Sequence, residues 1–163
     1  MKRLKYVGVA GVIMLLIGVA ILWATAKMKD HKDMLNNSDA FVNSNNGTVY
    51  WFELTSRRGK VEGKLHQQRF IEKVGKAPVM EEKKYPLAGE ITENGYVFRV
   101  NIGDELITFD AWFSGPHLSV QKHGEKDNVL YNPVNQEELN GYVKALQDYH
   151  TEEKEKKRMR FLF

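Results

Sequence analysis

Hydrophobic and polar positions change their rhythm three times along the chain. From Tyr6 to Ala26 (YVGVAGVIMLLIGVAILWATA) the residues carry no charge, behind a leader with Lys2, Arg3 and Lys5. At ~1.5 Å rise per residue, a helix of that length matches the ~30 Å hydrocarbon core of a bilayer, so a single N-terminal transmembrane helix is predicted over 1–26. Residues 27–35 (KMKDHKDML) alternate in charge, and 36–47 (NNSDAFVNSNNG) show neither a helical nor a strand period. They predict a juxtamembrane helix and an Asn/Ser-rich spacer over 27–47.

From Thr48 the period becomes two, and strands are predicted at Thr48–Thr55, Val61–Lys73, Val79–Tyr85, Leu87–Thr92, Tyr96–Ile102, Leu106–Phe113, Leu118–Lys122 and Asn128–Tyr131. Turn residues separate them, including Arg57-Arg58-Gly59-Lys60 and Glu93-Asn94-Gly95, the second a strong hairpin signal. The EEKK centre of Val79–Tyr85 and the adjacent Pro86 mark that strand as an edge. Gly63 and Gly89 fall in mid-strand between apolar neighbours, where glycine removes a packing side chain. Strong curvature or a close second backbone accounts for them, and both point to a rolled sheet or small barrel.

Pro133 ends the last strand and a helix begins at Gln136. Asn135 caps it, Glu138 completes a capping box, and Val134 with Leu139 forms a hydrophobic staple. Leu139, Tyr142, Val143, Leu146 and Tyr149 or His150 make one apolar stripe, which requires a sheet to pack against. Beyond Thr151 the sequence EEKEKKRMR is charged on every side. The fold class is therefore mainly β: a transmembrane helix, then an antiparallel β-meander of about eight strands over 48–150 with a C-terminal helix packed on it, and a charged tail at 151–163.

Charge changes the picture of partners. The chain holds 24 Lys and Arg against 21 Asp and Glu. Removing the three leader cations leaves 21 against 21, so the part beyond the apolar run is neutral and lacks the basic surface of a nucleic-acid reader. There is no cysteine, hence no disulfide framework, thiolate metal site or lipid-modified amino-terminal Cys. A disulfide-free exported domain fits a Gram-positive bacterium.

Two readings of the apolar run remain. Its length, and Tyr6 and Trp23 at its ends, suit a retained anchor, with Gly11 and Gly18 on a small-residue face. Ala24-Thr25-Ala26 instead matches a signal-peptidase site, which would give secretion after cleavage following Ala26. Lys27, Lys29 and Lys32 balance the leader cations, so charge does not orient the span. The likeness to a signal sequence sets the amino terminus inside and the C-terminal domain outside a cell membrane crossed once.

No catalytic or metal motif emerges, and no cofactor is expected. Five histidines (His31, His66, His117, His123, His150) form no recognised ligand spacing. Asp104-Glu105 occupies a turn, and Ser114-Gly115-Pro116-His117 lacks the nucleophile elbow. The candidate binding residues are Trp51 and Trp112, which alternation turns away from the apolar faces of their strands. In the tail, Lys156, Lys157, Arg158 and Arg160 beside Phe161 and Phe163 are candidates for contact with an anionic membrane surface.

A β-meander followed by a helix resembles lipocalin-like barrels, and that resemblance implies a small apolar ligand or lipid held near the membrane. The whole chain is also similar to short membrane-anchored Gram-positive proteins with one outside domain. The residues themselves favour a non-enzymatic, extracytoplasmic module that binds a protein or envelope component.

Overall fold

Alternating side chains from Thr48 onward close the chain on itself. The computed structural model describes residues 34–45, 47–71 and 78–160, together with Val19 and Leu22. Eight antiparallel strands form a closed barrel in chain order: β1 (Ala40–Asn45), β2 (Thr48–Arg57), β3 (Lys60–Ile71), β4 (Val79–Thr92), β5 (Gly95–Ile102), β6 (Glu105–Ser114), β7 (His117–Lys122) and β8 (Asn128–Val134). Closure is made by β1 on β8, through Ala40 opposite Val134 and Val42 opposite Asn132. Helix α1 (Gln136–Arg160) follows and lies against β1, β2, β3 and β8.

An eight-stranded barrel is just wide enough for its own side chains to fill. Here aromatic rings fill it. Phe52 of β2 meets Phe98 of β5 at 6.0 Å between ring centroids and Tyr131 of β8 at 4.9 Å. Phe41 of β1 meets Phe113 of β6 at 5.7 Å, and Tyr96 bridges Phe98 and Phe113. Leu54, Val61, Leu65, Leu87, Val100 and Leu118 complete the core. The end where the chain arrives is plugged by Leu35, fully buried in a single helical turn at 34–36.

At Gly63 and Gly89 a neighbouring backbone comes close, one of the two reasons that their mid-strand positions imply. A side chain at Gly63 would strike the Glu53 carbonyl oxygen of β2, and one at Gly89 would come within 2.5 Å of the Val97 carbonyl oxygen of β5. Both point inward, opposite Leu54 and Phe98. The missing Cβ atoms let adjacent backbones close up around the bulky rings.

Two expectations need correcting. The spacer expected over 36–47 contains β1, and Asn36 is pinned to the barrel by donating from Nδ2 to the Ser56 carbonyl (3.4 Å) while the Ser56 N–H donates to its Oδ1 (3.0 Å). The two strands expected at Val79–Tyr85 and Leu87–Thr92 are one, β4. Its first half is paired with β3 along its length, whereas its register with β5 begins only at Leu87, one residue after Pro86. Among the described residues no helix is long and apolar enough to cross a membrane. The predicted span, with Tyr6, Gly11, Gly18 and Trp23, lies outside the described residues apart from Val19 and Leu22, as do Phe161 and Phe163.

The capping box of α1 is present: the Glu138 N–H donates to Asn135 Oδ1 and the Asn135 N–H to Glu138 Oε2, both at 2.9 Å. Asp39 adds a third bond, accepting from the Gln136 N–H at 3.0 Å. Val134 and Leu139 are both buried in the cluster beneath the helix. The helix runs on through the charged segment to Arg160, about 37 Å in all. Asn135→Ala should lower stability by about 0.5–2 kcal/mol, seen as a lower midpoint in chemical denaturation; an unchanged midpoint would mean that the cap contributes nothing to folding.

Candidate interaction surface

The two outward tryptophans sit on opposite walls of the barrel and have different fates. Trp51 is covered by α1: it is 6% exposed and shares a buried cluster with Val42, Val49, Val134, Leu139 and Leu146. As a freely accessible binding residue it is therefore corrected. Its indole stacks on His66 of β3, centroids 4.5 Å apart and planes 12° from parallel, and donates from Nε1 to Glu53 Oε1 at 3.3 Å.

His66 is a site that residue spacing did not reveal. It is 3% exposed, with Glu53 Oε2 3.3 Å from Nε2 and Glu82 Oε1 3.5 Å from Nδ1, both off the hydrogen-bonding direction. Lys84 holds the second carboxylate from outside at 3.0 Å. The hydrogen bond from Lys84 keeps the Glu82 carboxyl below its ordinary range against the opposing effect of burial, and His66 adds to the lowering. A lowered carboxyl contributes stability above its unfolded value of about 4.3 and loses it as pH falls through the folded value. A signal for this cluster was present in the turn. Arg58 and Gly59 both have positive φ, 52° and 78°, the two-residue hairpin geometry that pairs Arg57 with Lys60 and, further along the strands, Trp51 with His66.

Trp112 is the tryptophan that stays on the surface. It is half-buried on the outer wall of β6, opposite Ser119 of β7, which in turn faces Leu130 of β8. Leu130 is 47% exposed, and Gly95 of β5 leaves the other flank of Trp112 without a side chain, its backbone lying against the Trp112 Cα. Polar groups border this strip in the next row. Asn128 Nδ2 donates to Ser119 Oγ at 2.6 Å, and Asp110 Oδ2 lies 2.8 Å from His123 Nδ1. An indole and a leucine edge, framed by amide, carboxylate and imidazole groups, make a surface able to bury apolar area while hydrogen-bonding at its rim.

The remaining candidates scatter. His117 and His123 stand at opposite ends of β7, and His150 stacks on Phe70 under α1 at 3.9 Å. Among the described residues no group of three or more His, Asp or Glu is arranged to hold a metal ion. Asp104 and Glu105 sit at the β5–β6 turn, away from Asp110 and its histidine. Lys156, Lys157, Arg158 and Arg160 fall on the last turns of α1, beyond its buried contacts at Leu139 and Leu146. No protein-family model, curated protein or solved structure matches the chain.

Proposed function

We propose that this chain is a non-enzymatic, membrane-anchored extracytoplasmic module that binds a protein or envelope component through the outer wall around Trp112. The observation that supports it is the contrast between inside and outside. Rings from facing walls meet across the barrel axis, leaving the interior occupied by the chain's own side chains, while an indole is left half-exposed on the wall opposite α1. The anchor is the Tyr6–Ala26 run, with the barrel outside the membrane.

A carrier of an apolar ligand or lipid is the second reading, favoured by the closed, eight-stranded, lipocalin-like barrel itself. It requires a cavity of roughly 300 Å³ or more. The test is native mass spectrometry of the full chain purified from membranes, combined with photo-crosslinking from position 121 beside Trp112. The module reading expects no bound lipid, and crosslinks that disappear in Trp112→Ala while the melting temperature falls by only a few degrees. A stoichiometric lipid, with crosslinks indifferent to Trp112, would reverse the order.

A further inference from the structure

We propose that two copies of this chain join edge to edge through the first half of β4, Val79–Pro86, in an antiparallel pairing centred on Glu82. The pairing uses a different wall from Trp112, and neither reading depends on the other.

Backbone pairing is the first argument. β4 is paired with β3 from Val79 to Glu90, but with β5 only from Leu87 onward. Val79–Pro86 therefore form a strand edge on an otherwise closed barrel. None of these residues is buried, and α1 lies against β1, β2, β3 and β8 instead. Which groups line the edge follows from the far end of the same strand. The Ile91 N–H donates to the Gly59 carbonyl just before β3 (3.0 Å), so odd positions of β4 turn their backbone groups to β3 and even positions turn them away. At Ala88, Glu90 and Thr92 the even row meets β5. At Met80, Glu82 and Lys84 nothing among the described residues meets it. Pro86 stands in that row too, where its missing N–H breaks no ladder.

Charge and register identify the occupant. Charged side chains ordinarily close an edge to other strands, and Glu81-Glu82-Lys83-Lys84 refuses an apolar or singly charged one. Set antiparallel against itself, the same sequence is complementary. A two-fold axis normal to the sheet keeps each side chain on its own face, so odd positions meet odd and even meet even. Centred on Glu82, the pairing sets Glu81 of each copy opposite Lys83 of the other. It also covers Val79, 59% exposed, with the half-buried Tyr85 of the other copy. Opposite charges and aromatic with β-branched side chains are favourable cross-strand pairs. Within one copy Glu81 is shared by Arg69 at 3.2 Å and Lys83 at 3.6 Å, so Lys83 has the looser contact and is the cation that turns across.

Every free N–H of the edge then finds a carbonyl: Met80 exchanges bonds with Lys84 of the other copy, and Glu82 with Glu82. The two Glu82 carboxylates meet near the axis, but each is held by its own Lys84 at 3.0 Å, and the other copy's Lys84 lies diagonally across. Centring on Lys83 instead would oppose Lys83 to Lys83 and give Met80 a proline without an N–H. Residues that bar foreign strands thus admit this one, which is specificity through repulsion.

Light scattering of the full chain in detergent, across a dilution series, should show a dimer that dissociates on dilution. Glu81→Lys and Lys83→Glu each place like charges opposite one another at both symmetric positions, and each should weaken the dimer about tenfold. An equimolar mixture of the two variants should restore it, because one copy then carries Lys at both positions and the other Glu at both. A misfolded variant would not be rescued by mixing, and the melting temperature of each variant alone checks this directly. Amide hydrogen exchange supplies the backbone readout: Met80, Glu82 and Lys84 should exchange quickly in dilute protein and slowly in concentrated protein, while Glu81 and Lys83 are slow in both. A natural chain that stays monomeric at the highest concentration overturns the proposal. So do dimers that survive both reversals, since they are held elsewhere, and a mixture of folded variants that does not recover.

Discussion

Phe52→Ala is expected to lower the unfolding free energy by about 3–5 kcal/mol, a large share of the roughly 5–15 kcal/mol that holds an ordinary domain folded. Phe52 is 1% exposed and touches rings from two other walls, Phe98 of β5 and Tyr131 of β8. Removing it deletes transfer free energy and opens a void that its neighbours cannot close, because both are themselves held by strands hydrogen-bonded on each side. Urea denaturation at neutral pH measures the effect. A loss below about 1 kcal/mol would mean that the interior is loosely filled, and would revive the carrier reading, since a carrier tolerates space where this barrel places a ring. Phe52→Leu keeps most of the volume and should lose much less, which separates a packing effect from a general intolerance of substitution in β2.

The same interior shows why parts of the fold were legible in residue order and others were not. Alternation placed Tyr50, Phe52 and Leu54 on one face of β2 and turned Trp51 to the other, and the structure has them so. The expected number of strands is also observed, yet two of its members changed places. β1 escaped because Phe41 points into the barrel while Ala40 and Val42 are buried under α1; with both faces covered, apolar residues run together and the period of two vanishes. β4 was divided because Pro86 cannot donate to a ladder. Its place one residue before the β5 register means that no β5 partner is opposite to need its missing N–H. Outward positions resist reading for a different reason. Trp51 and Trp112 are indistinguishable in alternation, and only the path of α1 after Asn135 decides which of them is covered.

That difference between the tryptophans yields the second large effect. Trp51→Ala should cost about 3–5 kcal/mol, because the indole is both the floor on which Leu139 and Leu146 pack and the lid over His66. Its loss would leave an imidazole facing Glu53 and Glu82 with water admitted on one side and no apolar contact on the other. Trp112→Ala, on a wall without that cover, should cost about 1 kcal/mol. Acrylamide quenching of the full chain in a Trp23→Phe background checks the premise with one indole at a time. In Trp112→Phe the remaining Trp51 should be shielded; in Trp51→Phe the remaining Trp112 should quench readily. If Trp51 quenches as freely as Trp112, α1 does not stay docked in solution, and the wall beneath it is as open to a partner as the wall opposite. If neither quenches, something other than α1 already covers Trp112 in the purified protein. A second copy of the chain then becomes the first occupant to test, because size measured by light scattering across a dilution series would follow the recovery of quenching.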